Sequence, residues 1–189
     1  MSKYIYLVPL FPLIGFLING LFRKKISKPL SGLIGSGMVL ASFVVSLLIF
    51  FEVKEENFQP AIVSLFEFMH AGNLSVPFSF LVDPLSCLFL LIITGVGFLI
   101  HVYSTSYMHA EDGPAYAKYF SYLNLFVFSM LLLVLGSNFV ILFVGWEGVG
   151  LCSYLLIGYW FKNQEFSSAG KKAFVMNRIG DFAFLIAVF

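Results

Sequence analysis

Apolar runs of membrane length, separated by short polar breaks, organise this 189-residue chain. They cover 4–22, 29–51, 83–103, 118–135 and 139–160, and a last run starts near 171. A helix needs about 20 mostly apolar residues to cross the hydrocarbon core, so the pattern predicts an all-α integral membrane fold with about six transmembrane helices. Pro9 and Pro12 fall in the first run and should bend its opening turns, leaving freed carbonyls for neighbouring groups to satisfy. Gly32, Gly35, Gly37, Ser42 and Ser46 in the second suggest close helix–helix contact. Gly136-Ser137-Asn138 leaves room only for a tight turn, so the fourth and fifth helices should pack antiparallel. Residues 104–117 and 161–170 read as polar loops.

Between the second and third runs the period changes. Glu52, Glu55 and Glu56 open a polar segment, and polar and apolar residues then partly alternate over 64–68 and again over 77–80. His70-Ala71-Gly72-Asn73 between them is a turn signal. The pattern predicts a β-hairpin at the membrane surface over about 60–82, with Pro77 favouring an edge strand. A loop without strands is the alternative. Asp83-Pro84 then supplies an N-cap and a first-turn proline for the third helix.

Composition agrees with a membrane protein. The chain is 60% hydrophobic and 11% charged, with mean hydropathy +0.95, whereas soluble domains have about 25% charged residues. The first run has one preceding charge, Lys3, and no small-residue cleavage pattern, so it reads as a retained span and not a signal peptide. The closing apolar run, FAFLIAVF, has no polar cap, and a fragment of a longer protein is expected. A net charge of +1 without a basic tract gives no sign of nucleic-acid binding. Cys87 and Cys152 have no metal or disulfide spacing and read as buried bystander thiols. If the N-terminus lies outside, the inner segments hold Arg23, Lys24, Lys25, Lys28, Lys118, Lys162, Lys171 and Lys172, against Lys3 and Lys54 outside. That bias sets the orientation and puts the hairpin on the periplasmic side.

The one formal charge in FVILFVGWEGVGLCSYLLIGYW is Glu147. A carboxylate near the bilayer centre costs about 2.5–3.5 kcal/mol even on mild insertion scales. Two readings fit: a relay carboxylate facing the bundle interior, or a structural carboxylate tied to a donor on another helix. Gly150, Leu151, Tyr154 and Gly158 share its helical face, and Gly145 and Gly148 flank it. A carboxyl that cycles its proton near neutral pH needs burial and a cation in changeable proportion, so a movable Lys or Arg on a neighbouring helix is expected. In the last run, Arg178 and Asp181 stand three apart and could pair locally as a self-neutralising unit, continue a polar line toward Glu147, or do both. His101, near the inner end of the third run, reads as an interfacial histidine or part of a proton access path. His70 and His109 read as surface residues, and the tryptophans and tyrosines as interfacial belts. No phosphate loop, catalytic triad, metal set or haem arrangement can be placed.

GWEGVGLCSYLLIGYW followed by KKAFVMNRIGDFAFL resembles the chain 5 (subunit L) family of respiratory complex I, the proton-pumping NADH:quinone oxidoreductase. VDPLS, HVYSTSYM and the GSN turn fit the same family. The resemblance implies that residues 1–116 form an N-terminal region of three helices and the hairpin. Residues 117–189 would begin the first repeat of an antiporter-like inverted-repeat fold. Glu147 matches a glutamate that pairs with a lysine expected on a broken helix beyond Phe189, and Asp181 and Arg178 match charged positions supporting that network. The resemblance further implies no cofactor in this chain, with NADH, flavin, iron–sulfur clusters and quinone handled by partner subunits. Its partners would be other complex I membrane subunits, above all a neighbouring antiporter-like subunit, and the lipid bilayer. Its location would be a bacterial inner membrane or the mitochondrial inner membrane. A multisubunit sodium/proton antiporter subunit and a structural membrane scaffold are the alternatives.

Overall fold

The computed structural model describes residues 2–55, 58–72 and 74–188. A short 3-10 turn, Ser2–Tyr4, precedes α1 (Leu7–Leu21) and α2 (Lys28–Val53). An antiparallel pair, β1 (Ala61–Ala71) and β2 (Leu74–Val82), follows. Then come α3 (Pro84–Tyr107), α4 (Gly113–Leu135), α5 (Phe139–Ile157) and α6 (Gln164–Val188). Among the described residues, α2, α3, α4 and α5 are long and apolar enough to cross a membrane, four of the six expected spans. α1 is apolar but has 15 residues, about 22 Å of helix. α6 is long enough but carries Glu165, Lys171, Lys172, Arg178 and Asp181.

The prolines of α1 are accommodated as expected. Pro9 cannot donate to the Ile5 carbonyl, and the Val8 N–H takes that acceptor at 3.1 Å. Pro12 cannot donate to the Val8 carbonyl, and the hydroxyl of Ser42 on α2 reaches across to it at 2.6 Å. Ser42 is fully buried, so the acceptor freed by one helix is satisfied by the next in an apolar interior. A second polar link joins the same helices where Ser31 donates to Asn19 at 2.9 Å.

The third helix starts as its sequence predicts. The Ser86 N–H donates to Asp83 Oδ1 at 2.7 Å and the Asp83 N–H donates to Ser86 Oγ at 3.0 Å, a reciprocal capping box with Pro84 in the first turn. The hairpin is present, with irregular register between Ser64 and Phe66 and between Glu67 and Met69. Gly72 turns it at φ +59°, a backbone region that glycine enters without penalty. Glu56 of the polar segment and Asn73 of the turn lie outside the described residues.

The two polar loops are shorter than expected. α3 extends to Tyr107 and α4 begins at Gly113. α6 begins at Gln164, so residues 164–170, expected as loop, are helical. Asn163 starts this helix: its Oδ1 accepts from the Glu165 N–H at 2.9 Å and its carbonyl from the Ser167 N–H at 3.1 Å. A polar first turn is ordinary for a helix that opens in water, which is why composition alone misplaced the boundary.

Candidate functional site at the α5–α6 interface

The GSN turn fixes the start of α5. Asn138 Oδ1 accepts from the Ile141 N–H at 3.0 Å, and Asn138 Nδ2 donates to the Pro77 carbonyl of β2 at 2.9 Å. Ser137 bonds β2 as well, its N–H donating to the Ser79 carbonyl at 3.2 Å and its hydroxyl lying 2.5 Å from that of Ser79. The hairpin therefore sits on the N-terminal end of α5. Glu147 follows nine residues after Asn138, about 13 Å further along the helix.

Glycines hold one flank of α5 against α4. A β-carbon at Gly145 would collide with the Leu133 backbone, and one at Gly148 would lie 2.5 Å from Ser129 Oγ. The other flank faces α6, which runs antiparallel. Tyr154 packs on Phe174 at 5.4 Å between ring centroids, and a β-carbon at Gly150 would lie 3.9 Å from Asn177 Nδ2.

Two polar links cross this second flank. Glu147 forms an ion pair with Arg178, whose guanidinium also lies over the Phe174 ring at 4.7 Å. Trp146 Nε1 donates to Asp181 Oδ1 at 2.6 Å, and Asp181 is buried, at 6% exposure. Glu147 keeps 20% of its side-chain surface and Arg178 44%, so the pair is partly shielded on the Glu147 side only. A cavity of about 330 Å³ adjoins the second of these links, with Trp146, Asn177 and Asp181 on its wall. The arrangement offers two carboxylates and one guanidinium within an apolar contact, close to a space of water-holding size.

Sequence spacing therefore placed three of these residues in one site, while leaving their pairing open. Arg178 pairs across to α5 and not locally with Asp181. Trp146 was missed as a site residue, because aromatics in this chain were assigned to interfacial belts. A tryptophan in mid-helix beside the lone carboxylate was the available signal, since an indole N–H within an apolar helix needs an acceptor even where its ring, as here, is half-exposed. His101 stands apart on α3, fully buried, its Nδ1 2.7 Å from the Gly97 carbonyl and its ring beside Phe120 of α4. Its Nε2 has no hydrogen-bond partner among the described residues. Lys118, counted from sequence only as an inner charge, sits among aromatic rings, 4.7 Å from the Tyr159 centroid and 5.3 Å from that of Phe161.

Two family models match the chain. Residues 68–120 match "NADH-Ubiquinone oxidoreductase (complex I), chain 5 N-terminus" and residues 136–189 match "NADH:quinone oxidoreductase/Mrp antiporter, TM". NADH-quinone oxidoreductase subunit L of Mycobacterium tuberculosis is 45% identical over 100% of this chain and 30% of its own length. The chain thus spans less than a third of the curated relatives it matches. Among solved structures, an archaeal membrane-bound sulfane sulfur reductase complex contains a chain of the same fold. Its TM-score is 0.81 at 20% identity, over 97% of this chain and 36% of that one. The Mrp complex from Dietzia sp. DQ12-45-1b contains another, with TM-score 0.73 at 27% identity, over 95% of this chain and 19% of that one. The second of these models spans the helices that carry Glu147 and Asp181, and the subunit L relatives match over 91% or more of this chain, so the chain belongs to the antiporter-like membrane-subunit family of NADH:quinone oxidoreductase chain 5 and subunit L.

Proposed function

We propose that this chain works as part of a proton-translocating membrane subunit of respiratory complex I. NADH:quinone electron transfer would drive pumping through a charge network centred on Glu147. The observation that carries the reading is the Glu147–Arg178 ion pair, set in an apolar helix contact beside buried Asp181. A charge so placed is costly unless it is partnered, and a partner that can be exchanged makes it a switch. Glu147 would alternate between Arg178 and a lysine brought to the same flank by another segment of the protein. Proton affinity of that lysine would change with the pairing, and water chains would load and release the proton on opposite sides.

Several finer expectations belong to this proposal. All six α-helices would cross the bilayer, with the N-terminus and hairpin outside and α4 opening the first repeat at about residue 117. The membrane would be a bacterial inner membrane or its mitochondrial equivalent. The redox groups would reside in partner subunits, and a neighbouring antiporter-like subunit would relay the coupling. His101, with one ring nitrogen unpartnered among the described residues, would belong to an access path from the inner side.

Glu147→Gln in the full-length protein of an assembled complex tests the reading. Proton pumping per NADH oxidised, measured in membrane vesicles, should fall several-fold while the complex still assembles. Normal pumping by the assembled variant would sink the role of Glu147. Loss of assembly with coupling intact in the surviving complex would favour the scaffold reading. The likeness to the Mrp complex supports a second reading, a sodium/proton antiporter subunit without a redox partner. Sodium uptake driven by a pH gradient, in vesicles given no NADH, would favour that reading instead.

A further inference from the structure

We propose that Trp146 is a positioning residue that divides the one cation of the α5–α6 site between its two carboxylates. Arg178 and Asp181 lie one turn apart on α6, the spacing at which opposite charges ordinarily pair on a helix surface. Here Asp181 instead accepts the indole N–H of Trp146 at 2.6 Å, while Arg178 reaches Glu147. The indole gives Asp181 a strong hydrogen bond without giving it a charge. Arg178 is thereby left to Glu147.

The indole is held in place by stacking. Its ring lies 5.9 Å from that of Phe184 at an interplanar angle of 6°. Phe143 stacks with the same Phe184 at 5.9 Å and 7°. Phe184 stands one turn beyond Asp181 on α6, so the stack fixes the plane that carries the N–H toward the carboxylate. Trp146 and Glu147 are consecutive on α5, and their partners Asp181 and Arg178 are one turn apart on α6. The two links run side by side, and losing the first frees a competitor for the second. Without the indole N–H, Asp181 is a buried carboxylate in need of a partner, with Arg178 the nearest cation on its own helix.

The consequence for pumping rests on the function proposed for Glu147. The division of the cation does not, and it is tested without pumping. A carbodiimide adds only to a protonated carboxyl, so its rate of attachment at Glu147, read by peptide mass spectrometry, reports how firmly Arg178 holds that carboxylate. The probe is applied to the full-length protein in its assembled complex. Trp146→Phe keeps a stacking ring and removes the N–H, and should raise labelling of Glu147 several-fold. Trp146→Phe combined with Asp181→Asn removes the competitor as well, and should return labelling to the wild-type rate. Unchanged labelling in Trp146→Phe overturns the proposal, as does a double variant that labels as fast as the single one, because lost packing alone would not be rescued. If Trp146→Phe fails to assemble, Asp181→Asn alone should label at or below the wild-type rate, and faster labelling overturns the proposal. Normal pumping in Glu147→Gln would end the functional reading while leaving this labelling pattern untouched.

Discussion

Replacing Ser42 by alanine deletes a single oxygen, and the structure specifies what that oxygen is worth and when it is worth nothing. Its hydroxyl donates to the Val8 carbonyl at 2.6 Å, and that carbonyl is free only because Pro12 has no N–H. Both Ser42 and Val8 are fully buried, so no solvent replaces the lost donor. An orphaned buried acceptor costs about 1–3 kcal/mol in soluble proteins. Interhelical hydrogen bonds in membranes average about 0.6 kcal/mol and reach about 1.7. Ser42→Ala should therefore destabilise the protein by about 1 kcal/mol, between those two scales. Pro12→Ala restores an N–H four residues after Val8, which can then bond that carbonyl within α1. In that background Ser42→Ala should cost close to nothing. The two substitutions should couple by about 1 kcal/mol in a double-mutant cycle, measured by graded denaturation of the full-length protein in detergent or by steric trapping in bicelles. An equal cost for Ser42→Ala in both backgrounds would refute the reasoning, because the serine would then be stabilising something other than the proline gap.

Two further perturbations test packing. Alanine at Gly35 would put a methyl 2.6 Å from Phe120 Cδ1 and 3.1 Å from Asn124 Nδ2, whereas at Gly37 it meets nothing within 4 Å. Gly35→Ala should cost about 1–3 kcal/mol, while Gly37→Ala should be neutral or up to about 1 kcal/mol stabilising; the same denaturation assay would expose a reversed order. Asn138→Ala removes both the cap of α5 and the bond to the Pro77 carbonyl. It should cost about 0.5–2 kcal/mol and raise amide exchange at residues 137–142, with unchanged protection telling against the clamp.

What the sequence made legible was local. The cap of α3 needs only Asp83 and Ser86, three residues apart, and both bonds form. The hairpin follows from alternation and a glycine turn, and the antiparallel α4–α5 pair from a three-residue connection. What stayed hidden depends on contacts between distant segments. The spacing of Arg178 and Asp181 permits a local pair as readily as two separate cross-links, and only the register of α6 against α5 decides. Trp146 needed the same register to gain its acceptor. The start of α6 was obscured for a different reason: a water-facing first turn has the composition of a loop.

The two flanks of α5 also limit how its charge site can change. Gly145 lets α5 approach α4 until backbone meets backbone at Leu133, and Gly148 lets it close onto the side chain of Ser129. Ser129 is itself tied to the Leu125 carbonyl at 2.9 Å, so the surface that α5 rests on is fixed within α4. Sliding α5 by one residue would drive Trp146 or Glu147 into a gap made for a hydrogen atom, and the N-terminal clamp at Asn138 resists the same motion. On the opposite flank, α6 comes close to backbone only at its start, where Gly170 meets Gly158, and around Glu147 the contact is made by aromatic stacks, an ion pair and an indole bond beside a cavity. The outward face of α6 exposes Val175, Met176, Ile179, Phe182 and Ile186. Close packing makes a helix contact either held or broken, with little in between. A change in the partner of Glu147 must therefore come through α6, or through whatever packs on α6, while α5 stays seated on α4.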